Sequence, residues 1–332
     1  MASLDQQAQL AVPGSGRAPS TGRVALAFAL VYVLWGSTYL AIRITVEHVP
    51  PAMMGATRFL FAGPVMLAWC ALTGRKISVN RNDLWRLAII GVLLLTTGNV
   101  VVGWSEQYVP SGLAALIVAI VPIYVAVIEA VLLRSERLSR RGLGGLALGI
   151  AGMIVLLWPK LWAGNAFGHQ QLTGALGLML ASLSWASGSI LSHRWKVGVG
   201  PLAATGWQMT ASGIVNLAIV LASGDQHRVL WTGRGLAALA YLIVCGSWIG
   251  FSAYVWLLNH VPTAKVSTYA YVNPIVAVFL GWLIMHEPVD GFIVAGTVVI
   301  VAAVALVTGS IMKPATVKAA AGEAQLSAHS AD

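Results

Sequence analysis

The second half of this chain repeats its first, inside sequence apolar enough to lie almost entirely within a bilayer. Val109-Pro110-Ser111 leads into an apolar run that carries Pro122 and reaches Glu136, and Val261-Pro262-Thr263 leads into another that carries Pro274 and reaches Glu287. The prolines match at a separation of 152 residues, Trp104 and Trp256 also at 152, and Glu136 and Glu287 at 151. Duplication of one unit is the simplest cause, so whatever fold one copy adopts the other must adopt too. Charged residues make up 9% of the chain and apolar ones 58%, against roughly 25% and 45–50% in soluble domains. No soluble core needs so much apolar sequence.

A window of about 20 residues, the length that crosses a hydrocarbon core, finds ten segments. They lie near 24–42, 52–72, 85–106, 111–132, 142–158, 173–192, 202–222, 236–258, 263–285 and 291–309. Residues 1–23 and 310–332 read as disordered tails, 24–158 and 172–309 as the two repeats, and 159–171 as the linker between them. The run from Val24 is too long for a signal-peptide core and is read as a retained span. Five spans per copy is an odd number, so the second copy enters the membrane upside down relative to the first. The expected fold is therefore an all-α integral membrane protein, ten helices in two inverted five-helix repeats, an architecture typical of secondary transporters.

Lysine and arginine set the orientation. With the N-terminus inside, fifteen lie in cytoplasmic segments and only Arg43, Lys160, Arg228 and Arg234 in external ones. Both termini are thus expected in the cytoplasm. The net charge of +9 is spread over these short gaps rather than gathered on a patch, which argues for topology and against a nucleic-acid partner. Cys70 and Cys245 both fall inside apolar segments without CxxC spacing, so neither a metal site nor a disulfide framework is indicated.

Several stretches carry a family resemblance. Leu34-Trp35-Gly36-Ser37-Thr38-Tyr39, Ala56-Thr57-Arg58-Phe59, Ser105-Glu106-Gln107-Tyr108-Val109-Pro110-Ser111-Gly112 and Tyr271-Val272-Asn273-Pro274 resemble the EamA family of the drug/metabolite transporter superfamily. The resemblance covers residues 24–309 and both repeats. It implies a ten-helix exporter of small metabolites, often amino acids, in the bacterial inner membrane, with no ATP-hydrolysing domain and no cofactor. No G-x-x-x-x-G-K-[ST] loop occurs in the chain. The small four-helix multidrug members of the superfamily carry a glutamate in the first helix for proton exchange, but Val24 to Ile42 contains no acid. That mechanism does not carry over.

Arg58 is the most informative polar residue, about six residues or roughly 9 Å into the second span, where an ionised side chain is costly unless it faces a cavity or a partner. Either it receives a substrate carboxylate or gates the outer end, or it snorkels outward or pairs with Glu106. The matching residue of the second repeat is Gln208. Pro122 and Pro274 each free a carbonyl four residues earlier and are read as hinges or as static kinks. Asn99 and Asn273 are buried amides that need partners. Trp35, Trp104, Trp185 and Trp256 lie deep in matching pairs and are candidates for a cavity wall. The i, i+2 spacing of Trp35 with Ser37, and of Trp185 with Ser187, lets only one of each pair face one cavity. The expected substrate-binding set is thus Trp35, Arg58, Asn99, Trp104, Trp185, Gln208, Tyr271 and Asn273. Glu136 and Glu287, at helix ends, read as interfacial caps or as partners of nearby basic residues.

Two other classes compete. A polytopic membrane enzyme needs a buried catalytic set, yet the seven histidines fall in tails, loops or their margins and no HExxH occurs. A receptor or scaffold has no need of the internal duplication. Within the transporters, a sugar-like or nucleotide-linked metabolite is the alternative cargo, although a phosphate would call for several buried cations. The expected partners are a small-molecule substrate and the lipid bilayer, with homodimer formation left open.

Overall fold

The computed structural model describes residues 20–128, 140–162, 169–260, 266 and 269–311, and among these there is no strand. Helices are what the sequence has to form: in hydrocarbon every backbone N–H and C=O must be satisfied within its own segment. In chain order α1 is Thr21–Val46 and α2 Pro51–Leu72. Next, α3 runs Arg81–Gly91, passes through a π-helical stretch Val92–Val100 and closes as Val101–Ser105. The fourth helix, α4, comes in two pieces, Ser111–Val118 and Val121–Val127. Then follow α5 (Arg140–Trp162), α6 (His169–Arg194) and α7 (Pro201–Ser223). Like α3, α8 has a π-helical middle, running Gly233–Tyr241, Leu242–Gly250 and Phe251–His260. The last two are α9 (Tyr269–Met285) and α10 (Gly291–Ile311).

Five helical runs, Thr21–Val46, Pro51–Leu72, Arg81–Ser105, His169–Arg194 and Gly233–Leu257, are long and apolar enough to cross a membrane, and α4, α9 and α10 hold shorter apolar stretches. The helices outlast the apolar windows at several ends. The first begins at Thr21 rather than 24, and the linker expected over 159–171 is shortened from both sides, since α5 continues to Trp162 and α6 starts at His169. A helix keeps its hydrogen bonds beyond the hydrocarbon edge, so hydropathy marks the core and not the helix end. Glu129, Glu136 and the tail from Lys313 lie outside the described residues.

Local chemistry fixes the ends. Asn80 caps α3 by accepting from the Asp83 N–H at 2.7 Å, Thr232 caps α8 by accepting from the Gly235 N–H at 3.1 Å, and α7 stops at Gly224, whose φ of 74° takes the left-handed turn. The two prolines expected to act alike differ. Pro122 sits in the first turn of the second piece of α4, after the α-helix gives way at Ala119–Ile120, whereas Pro274 sits inside α9, which continues through it.

Small residues set the packing. The α2 and α7 helices lie antiparallel in close contact: a Cβ at Gly63 would fall 2.6 Å from the Thr210 nitrogen, and one at Gly213 2.7 Å from the Leu60 nitrogen. Similarly, α5 packs along α10. Around the α2–α7 pair, α1 packs on α8 and α9, α6 packs on α3 and α4, and α4 meets α9.

Candidate functional site

Arg58 is buried at 3% exposure, and its partners are neutral. Its Nε donates to Ser247 Oγ at 3.0 Å and its Nη1 to Asn99 Oδ1 at 3.1 Å. Ser247 and Asn99 belong to the π-helical stretches of α8 and α3, so the two irregular segments both deliver a side chain to the same guanidinium. Gly246 makes room for it, since a Cβ there would lie 3.1 Å from Nη2. The Phe59 ring lies 5.1 Å from the guanidinium carbon. Among the described residues no carboxylate comes within 4.0 Å of Arg58, so it neither snorkels out nor pairs with Glu106. A buried cation held only by neutral groups retains most of its attraction for an anion.

An aromatic cluster adjoins it. The Trp35 indole N–H donates to the Gly246 carbonyl at 3.3 Å, and its ring meets Phe251, Tyr254 and Tyr269 with centroids 5.2, 4.9 and 5.1 Å away. Trp185 packs against Gly98 of α3, next to Asn99, and pairs with the Tyr269 hydroxyl. Trp35, Arg58, Asn99 and Trp185 are therefore brought together by α1, α2, α3 and α6. Ser37 turns instead to the Tyr241 hydroxyl, 2.5 Å away, and Ser187 bonds back to the Leu183 carbonyl of its own helix.

The remaining expected residues are placed elsewhere. Gln208 is buried on α7 with its backbone against Gly91, eight residues or roughly 12 Å before Asn99 on α3. Trp104 packs on Tyr108 near the end of α3. Trp256 stacks on His260 and lines an apolar cavity of about 790 Å³ between α1, α2 and α8, with Arg23, Leu26, Val65, Trp69 and Ile249 on its walls. Asn273 is buried with its Oδ1 unpartnered among the described residues, and the side chain of Tyr271 lies outside them. Sequence reasoning missed Ser247, Tyr254, Tyr269 and the buried Thr96–Ser212–Asn216 chain that links α3 to α7. A lone serine, threonine or tyrosine in an apolar run carries no signal that singles it out.

The acids at helix ends divide. Glu287 accepts from the Ser111 N–H (2.8 Å), the Ser111 hydroxyl (2.9 Å) and the Gly112 N–H (3.1 Å), and so caps α4. Glu106 is fully buried.

Fold and site together define a polytopic helical membrane protein in which a buried arginine lies beside an aromatic wall. Residues 22–158 and, separately, 172–309 match the EamA-like transporter family, and the chain belongs to that family. It is 39% identical over 291 residues to the uncharacterized inner membrane transporter YedA of Escherichia coli (strain K12), covering 87% of this chain and 91% of that one. It is 24% identical to the uncharacterized transporter YoaV of Bacillus subtilis (strain 168), over 84% of this chain and 94% of YoaV. With protein PecM of Dickeya dadantii (strain 3937) it shares 26% identity over 82% and 88% of the two chains. A crystal structure of a protein 20% identical in sequence has the same fold, with a TM-score of 0.60 over 86% of this chain and 96% of that one. Family membership speaks for transport rather than catalysis.

Proposed function

We propose that this protein is a secondary transporter of the bacterial inner membrane that exports small organic metabolites bearing a carboxylate, amino acids foremost, by alternating access between two inverted five-helix repeats. The observation that carries the reading is Arg58, a buried guanidinium held by Asn99 of one repeat and Ser247 of the other. A fork of this kind binds a carboxylate in two parallel hydrogen bonds. Trp35, Tyr254 and Tyr269 offer ring faces to an ammonium group nearby. Together the two features suit a zwitterion with an apolar side chain better than a phosphate, which needs more than one cation.

The inverted arrangement is supported by the packing. Exchanging each helix with the one five places on turns the α1–α8 contact into α6–α3 and the α1–α9 contact into α6–α4, while α2–α7, α4–α9 and α5–α10 map onto themselves. The π-helical stretches begin 150 residues apart, at Val92 and Leu242. The domain limits proposed are 24–158 and 172–309, with Pro122 and Pro274 as the points about which the fourth and ninth helices bend.

Everted vesicles given a panel of labelled amino acids provide the test. Accumulation of at least one member above vesicles without the protein is the expected result, and no movement across the whole panel would remove amino acids as cargo. Orientation has its own check. A cysteine introduced as His227→Cys is expected to react with an impermeant maleimide from outside and one introduced as Lys76→Cys is not; both positions are exposed. The reverse pattern would overturn the topology.

Trp35→Leu keeps most of the apolar bulk but removes the ring face. The apparent affinity for an ammonium-bearing cargo is expected to weaken by about two- to thirtyfold, the equivalent of roughly 0.5–2 kcal/mol, at unchanged abundance in the membrane. Unaltered kinetics would mean that Trp35 only fills the bundle.

A further inference from the structure

Resting on the transporter reading and its orientation, we infer a proton-binding site at the external mouth of the bundle: Glu106 takes a proton from the outer solution, and the mouth closes only when that proton is bound. Glu106 follows α3 and has 0% of its surface exposed, and neither carboxyl oxygen has a hydrogen-bond partner among the described residues. The neighbouring Ser105 hydroxyl is equally buried and equally without a partner. A carboxylate shut away from water with no donor is costly, and the neutral acid costs far less.

The groups around it relieve that cost only in part. The charged groups acting on Glu106 are Arg43 of α1 and Glu287 beyond α9, and Tyr39 of α1 is the titratable group beside it. Arg43 is the one nearby cation among the described residues, but its Nη1 donates to the main-chain carbonyl of Glu106 and not to its carboxyl. Glu287 carries a second negative charge, fixed in place by the three donors at the start of α4. Among the described residues the other contacts of this end of α3 are neutral: α6 meets Ser105 through Gly174 and Gly177, and α2 meets Gly103 through Met54.

The Glu287 clamp is a built feature. His286 adopts φ 53°, unusual for a residue with a side chain, and this turn aims Glu287 at α4. Gly281 clears its path, because a Cβ there would lie 2.4 Å from the Glu287 carboxyl. When the exit of α9 is clamped on α4 in this way, an ionised Glu106 would sit unsolvated beside a fixed carboxylate. Opening the mouth to water removes the penalty. The closed state therefore holds the proton more tightly than the open one, so closure is favoured in acid and lost as the outer pH rises. The step is a simple addition: one proton from external water joins one carboxylate oxygen, and no other bond is made or broken. In an exporter, each external closure would then bring a proton in after the cargo has left.

Thiol accessibility tests this in proteoliposomes without any cargo. In a Cys70→Ser, Cys245→Ser background, Leu113→Cys reports on the closed mouth, being buried at 5% exposure in the first turn of α4, and the exposed Glu47→Cys corrects for the pH dependence of the thiol itself. The corrected labelling of the Leu113→Cys reporter by an external impermeant maleimide is expected to fall by up to about tenfold per pH unit as the outer solution is acidified. With Glu106→Gln added, the reporter stays shielded at every pH. With Arg43→Gln, which removes the cation favouring ionised Glu106, the fall is displaced to higher pH. A flat profile in the parent, or an unchanged profile in Glu106→Gln, would overturn the site; if Glu106→Gln does not reach the membrane, an undisplaced Arg43→Gln profile overturns it. Failure of the amino-acid panel with the pH-dependent shielding intact would sink the choice of cargo and leave the proton site standing.

Discussion

Arg58→Gln is expected to lower the initial rate of uptake of a carboxylate-bearing cargo by roughly ten- to a hundredfold at subsaturating concentration, with the amount of protein in the membrane little changed. The size follows from the roughly 1.5–3 kcal/mol that a hydrogen bond to a charged group contributes. Glutamine can still donate towards the Ser247 hydroxyl that holds the Arg58 Nε in the wild-type protein, so the local polar network keeps a partner. Arg58→Lys is the more discriminating variant: it preserves the charge, loses the planar fork, and should fall between the two. Rates measured in proteoliposomes of known protein content separate the cases. Equal rates for all three proteins would reduce Arg58 to a packing element.

Gly91→Leu should act on the fold rather than on the site. A Cβ at Gly91 would lie 2.3 Å from the backbone carbonyl oxygen of Gln208, and backbone cannot move aside as a flexible side chain can. The α3 and α7 helices must separate, at a cost in the range of about 1–3 kcal/mol or more. In a protein of ordinary marginal stability that is a large fraction of the total. A marked loss of detergent-extractable, monodisperse protein and a lowered melting temperature are expected. Gly144→Leu is the control, because a Cβ there meets nothing within 4 Å. If both variants behave alike, the close approach of α3 and α7 is not what the glycine secures.

How far the sequence could be read depends on which coordinate of a residue is asked for. Position along the helix was legible: counting residues sets Arg58 and Asn99 inside apolar helices, where the structure joins them, and the duplication assigned partners such as Trp35 and Trp185 that the structure does bring near one another. Azimuth was not. Gln208 matches Arg58 in the repeat, yet its backbone lies against Gly91, as expected if the proposed inversion puts equivalent residues at mirrored depths and on different neighbours. Trp104 and Trp256 likewise match in sequence and line different regions, Trp104 beside Tyr108 and Trp256 in the apolar cavity. Ser247 could not be singled out, since one serine in an apolar run carries no signal until Arg58 is seen to reach it.

The π-helical segments also escaped detection, since nothing in the periodicity of Val92–Val100 or Leu242–Gly250 distinguishes them from ordinary helix. Their consequence is mechanical. A π turn holds an i to i+5 hydrogen bond, and sliding each donor forward by one acceptor restores the α pattern without exposing a single peptide group to lipid. Such a slide rotates and advances everything beyond it by one residue, about 100° and 1.5 Å. Beyond these segments lie Ser105 at the end of α3 and His260 at the end of α8, which the proposed inversion would put at opposite faces of the bilayer. Each half thus carries an internal screw thread, able to turn one mouth of the bundle while the glycine seams of α2 and α7 stay closed.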